Sequence, residues 1–62
     1  MRRQWTLPQI VEEAKRRGRP VSKEHLRQLC VRGELRATKP GRDWLVADRD
    51  AQEWLRRWLA EK

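Results

Sequence analysis

Residues 31–46 read VRGELRATKPGRDWLV, and the fold turns on how they divide. A glycine stop at Gly33 is followed by a basic stretch, a Lys39-Pro40-Gly41-Arg42 turn and a tryptophan-bearing stretch. Residues 35–38 and 43–47 are predicted as two short strands of a hairpin, with Pro40-Gly41 setting the turn. An L-Pro-Gly pair prefers a type II turn, whose twist suits a two-residue hairpin poorly, so a loop of four or more residues is expected. Trp44 and Val46 share one face of the second strand and Leu45 and Ala47 the other, so cover on both sides is expected. A hairpin that only filled a core would not need the four cations Arg32, Arg36, Lys39 and Arg42.

Upstream, Ser22 can cap a helix running to about Arg32, where Gly33 supplies a left-handed stop. Leu26, Leu29 and Cys30 form its buried stripe, Val21 can staple onto Leu26, and Lys23, Glu24, Arg27 and Gln28 fall on or near the open side. A short turn, Gly18-Arg19-Pro20-Val21, precedes it. Further upstream, Thr6-Leu7-Pro8-Gln9 is a capping box, with Trp5 and Ile10 placed as a hydrophobic staple. Pro8 is tolerated in a first turn, where its nitrogen has no intrahelical acceptor to lose. Leu7, Ile10, Val11 and Ala14 share the apolar face of this first helix, which Gly18 ends. Downstream, Asp48 is expected to cap a third helix whose stripe is Ala51, Trp54, Leu55, Trp58 and Leu59.

The expected fold class is therefore mainly α with a small β-hairpin, in the order helix, turn, helix, hairpin, helix. With 62 residues the chain is a single domain, 1–62, with one small core. Its net charge is +7, and residues 1–47 hold 12 Lys/Arg against 5 Asp/Glu while the remainder is balanced. All of the excess lies ahead of the last helix. Such a surface attracts polyanions, and in a compact basic domain nucleic acid is the expected partner before an acidic membrane. No apolar run reaches a transmembrane length, and Pro8 and Gln9 interrupt any apolar region of a signal peptide. With Cys30 as the single cysteine, a reducing, cytoplasmic setting is expected.

From Thr6 to Leu55 the residues resemble the winged helix-turn-helix of the excisionase and MerR-like DNA-binding families. The matching pieces are Ala14, Gly18, Val21-Ser22, Leu26, Arg32-Gly33-Glu34-Leu35, Gly41-Arg42-Asp43-Trp44-Leu45-Val46 and Trp54-Leu55. The turn from Gly18 to Ser22 is longer than the family's usual one, and His25 and Leu29 stand where Thr or Ser and Trp are often found. No counterpart of the effector half or long dimerising helix of larger MerR-like regulators is present, so the chain is closer to a stand-alone excisionase-type domain. The resemblance implies helix-turn-helix, hairpin wing and C-terminal helix, and a role in transcription control or as a recombination cofactor. The implied partners are double-stranded DNA, a second copy in a homodimer or cooperative assembly on DNA, and a recombinase. From the residues themselves, no cofactor and no membrane partner are expected.

On this reading residues 23–32 enter the major groove, and the wing tip, residues 38–42, lies over the minor groove or its phosphates. The candidate DNA-binding residues of the helix and the turn before it are Arg19, Ser22, Lys23, His25, Arg27, Gln28 and Arg32. Those of the hairpin are Arg36, Thr38, Lys39 and Arg42. Arg and Lys suit guanine O6/N7 and phosphates, and Gln suits adenine N6/N7. About five or six cations among Arg2, Arg3, Arg19, Lys23, Arg32, Arg36, Lys39 and Arg42 are expected on the backbone at once. A solvated helix face is the competing reading of the same charges. Glu24 can accept from cytosine N4 or stabilise the helix N-terminus.

His25 and Cys30 lie about 140° apart round a helix, with no further His or Cys to complete a metal site. Cys30 is expected as a small core residue, and a thiol sensor is the competing reading. The four tryptophans fall at core positions rather than as a stacking platform for single strands, although Trp58 can also serve a protein contact. No phosphate loop or paired nucleophile and base is present, so an enzyme is not expected. The alternative of another class is a small protein-interaction adaptor using the Trp54/Trp58 face.

Overall fold

Thr6 starts the first helix of the computed structural model, which describes residues 3–61. Its hydroxyl accepts from the Gln9 backbone N–H at 3.4 Å, and the Gln9 side chain accepts from the Thr6 N–H at 2.9 Å. This reciprocal box begins α1 (Leu7–Arg16), which carries Pro8 in its first turn. Gly18, at φ 102°, turns the chain out of the helix. The second helix, α2 (Lys23–Arg32), begins at Ser22, whose Oγ accepts from the His25 N–H at 3.0 Å. It ends at Gly33 with φ 81°, a left-handed conformation that a Cβ would strain.

The segment after Gly33 departs from the expected hairpin. The Gly33 N–H donates to Cys30 O, and the N–H groups of Glu34 and Leu35 both donate to Leu29 O. These donors complete the end of α2, so they cannot also serve a strand ladder. Leu35 is buried as part of the cap, and residues 35–38 form no strand. Pairing begins only at Thr38, which exchanges two hydrogen bonds with Leu45 at 2.8 and 2.7 Å across a loop of residues 39–44. The loop exceeds four residues, as expected. Gly41 lacks the positive φ of a type II turn, a geometry that a loop of this length does not require.

The second strand, β2 (Leu45–Ala47), takes its main partner from the other end of the chain. It pairs antiparallel with β1 (Gln4–Thr6) in the register Gln4 to Ala47, Trp5 to Val46 and Thr6 to Leu45. Val46 is fully buried beneath Trp5, Trp44 and Leu45 are half-buried, and Ala47 is exposed. Cover is therefore incomplete on the Ala47 side. A third helix, α3 (Asp48–Ala60), follows directly.

Its N-cap is Ala47, not Asp48 as the sequence suggested, and no side chain caps it. The Asp48 carboxylate is engaged elsewhere, accepting from the Trp5 indole N–H at 2.8 Å. With Asp50 it still places negative charge at the positive end of the helix dipole. Among the described residues the molecule is mainly helical, with three helices and a small two-stranded antiparallel sheet. Its core gathers Ile10, Leu26, Val46 and Leu55, all fully buried, with Trp5, Leu7, Ala14, Val21, Cys30, Leu35 and Ala51 around them. Trp44, Trp54 and Trp58 are half-buried against this cluster. Among the described residues no helix is long and apolar enough to cross a membrane.

Candidate nucleic-acid interface

The capped start of α2 and the 39–44 loop approach one another over the first turn of α1. Between them lies a cleft of about 140 Å³ whose rim carries Lys23 and Arg27 from α2 and Lys39, Arg42 and Asp43 from the loop. Leu7, Pro8 and Trp44 complete its lining. Two devices fix the loop: the Thr38–Leu45 hydrogen bonds close its base, and the half-buried Trp44 packs against the core. The Lys39 ammonium stands 5.4 Å from the centre of the Trp44 ring, where a cation is attracted by the ring face. Four cations and one carboxylate therefore share a concave site, an arrangement that concentrates anions.

The outer face of α2 is held by Glu24. Arg27 donates to both of its carboxylate oxygens, Nη2 to Oε1 at 2.7 Å and Nε to Oε2 at 3.1 Å. These bonds hold the Glu24 carboxyl below its ordinary range, with a smaller contribution from a Gln28 hydrogen bond, and they raise Arg27 further. Arg27, one of the two expected base readers, is thus attached to a carboxylate. The pair is solvent-exposed on both sides, where ion pairs are weak and exchange readily for other partners. Arg32 lies 3.7 Å from Glu34 and is likewise exposed.

Several of the expected DNA contacts are brought elsewhere. Arg19 is drawn under α3: its guanidinium carbon lies 3.7 Å above the Trp58 ring and its Nη1 donates to the Trp58 carbonyl oxygen. In return the Trp58 indole N–H donates to the Arg19 carbonyl at 2.9 Å. Arg19 thereby acts as packing between the α1–α2 turn and the end of α3, not as a freely extended cation. His25 sits on the same side, its ring centre 5.6 Å from that of Trp58. Arg36 lines a different groove, about 410 Å³, shared with Arg49, Arg57, Glu34, Asp50 and Glu53. There the charges of the two signs balance. Ser22 uses its hydroxyl as a cap, while the Thr38 backbone serves the bridge to Leu45 and its side chain is exposed. Arg3 is exposed, and Arg2 lies outside the described residues.

Sequence reasoning missed the parts played by Leu7, Pro8, Asp43 and Trp44 in the cleft. Their signal was hidden because Leu7 and Pro8 read as helix start and Trp44 as core. Cys30 is buried as expected, and burial pushes its thiol up, away from the thiolate. Comparison of the chain with protein-family models, with curated proteins and with solved structures finds no match.

Proposed function

We propose that the chain is a sequence-specific double-stranded DNA-binding domain of the winged helix-turn-helix type, acting in the cytoplasm in transcription control or as a recombination cofactor. In this reading α2 lies in the major groove, and the 39–44 loop is the wing, reaching the adjacent minor groove or its phosphates. The observation that carries it is the joint placement of Lys23 and Arg27 with Lys39 and Arg42 around one cleft. Charges from two elements far apart in sequence converge on one face, whereas charge retained only to keep a surface hydrated has no reason to converge.

Each residue then has a chemical task. Lys23, Lys39 and Arg42 neutralise phosphates and set the register, and the N-terminus of α2 adds its positive end dipole. Arg27 exchanges the Glu24 carboxylate for guanine O6/N7 or a phosphate, and Gln28 offers a donor and an acceptor to adenine. The adaptor reading of the Trp54/Trp58 face has less support. Those rings stack on one another with centres 5.3 Å apart, and Trp58 is further tied to Arg19 and His25.

The test is selection from random duplex oligonucleotides, followed by affinity measurements on the selected and a scrambled duplex. Gln28→Ala is expected to lower discrimination between them by about 1–3 kcal/mol, the value of a good bidentate base contact. Full discrimination in the variant would remove α2, in this register, as the reader.

A further inference from the structure

Val31 is the large apolar side chain left exposed among the described residues, at 63%. A single exposed valine is ordinarily without meaning, and its position is what gives this one interest. It lies on α2 three residues after Gln28 and four after Arg27, on the exposed side, about 140° round the helix from the buried Leu26. Arg27 and Gln28 precede it on that face and Arg32 adjoins it. The helix gains little from it, since a β-branched residue is a poor helix former and most of this one stays exposed.

We infer that Val31 is a specificity-determining contact that packs its isopropyl group on the C5-methyl of a thymine in the major groove. The inference rests on the DNA-binding reading above and names one feature of the site that it would select. Thymine is the base that presents a methyl group in the major groove, and an apolar side chain is what recognises it. Size and charge both favour this partner. One isopropyl group amid cations and an amide matches one methyl beside phosphates, whereas docking of a protein needs a contiguous apolar patch. Neighbouring Arg27 and Gln28 would contact polar base edges while Val31 covers the apolar one.

The experiment uses the full chain, the duplex enriched by selection, and a set of the same duplex in which each thymine is replaced singly by deoxyuridine, which lacks only the methyl. In the wild type, replacement at one thymine per bound copy is expected to lower affinity about fourfold, the worth of one buried methyl group. In Val31→Ala that sensitivity should vanish, with sensitivity to changes at other base pairs retained. The variant should fold, because it trims an exposed group and improves helix propensity.

Equal sensitivity in the wild type and Val31→Ala overturns the inference, as does a wild type indifferent to every deoxyuridine. So does a Val31→Ala variant unchanged in DNA affinity but weakened in self-association by sedimentation, which would assign the side chain to a second copy. Selective, salt-dependent binding with no methyl effect would leave the DNA-binding reading standing without this contact. A selection that enriches no duplex would overturn both.

Discussion

Glu24 holds Arg27 by two hydrogen bonds, so a single carboxylate ties down one of the side chains best suited to read bases. In the proposed complex that carboxylate faces the polyanion and must release Arg27. Glu24→Gln removes the charge and keeps the shape. It is expected to raise affinity on selected and scrambled duplexes alike, by up to about fivefold, the range over which exposed ion pairs compete. Fluorescence anisotropy titrations at fixed salt measure this. Weaker binding in the variant would instead make Glu24 a direct acceptor from a base. The outer face of α2 was legible in the sequence because Ser22 and Gly33 fix both ends of the helix and the Leu26–Cys30 stripe fixes its rotation. The Glu24 latch was not, since spacing alone does not say whether two charges on a helix meet each other or a ligand.

At the scale of elements, the helices follow from local chemistry and the strands do not. Thr6, Gln9, Ser22 and Gly33 act on neighbours within a few residues, and all serve as their types suggest. The sheet instead joins residues about forty apart, and β1 is only three residues long, overlapping the helix start that Thr6 announces. Nothing in so short a run distinguishes a strand from the lead into a helix. The same long-range contact explains Asp48, which bonds Trp5 rather than capping α3. It also moves the support of the 39–44 loop from the expected strand at 35–38 to β1, against which β2 is fixed. The loop is therefore held at its base whatever its exposed tip carries. Changing Lys39 and Arg42 together to Gln should leave the thermal unfolding midpoint nearly unchanged. The slope of log affinity against log salt should become shallower by about two, with losses similar on selected and scrambled duplexes. An unchanged slope with unchanged affinity would mean that the loop faces solvent in the complex.

In the whole molecule, one small core sets the relation between α2 and the 39–44 loop, and Leu55 of α3 is fully buried in it with Ile10, Leu26 and Val46. Leu55→Ala should lower stability by about 2–5 kcal/mol, as measured by urea unfolding. In a domain of this size that is a large share of the total, so DNA affinity should fall as the folded fraction falls. A stability loss below 1 kcal/mol would mean that α3 is not the floor of the core. The charge imbalance of the chain was legible from composition, but its convergence on one cleft was not, because that depends on the loop returning beside α2. This convergence is the basis for assigning DNA as the partner, and it is tested most directly by the salt dependence of binding. Equilibrium affinity for the selected duplex, measured across salt concentrations at fixed pH, should fall with a log–log slope of about −3, as phosphate contacts from Lys23, Lys39 and Arg42, with Arg27 as a fourth, require. A slope near zero would contradict the assignment of this face to DNA.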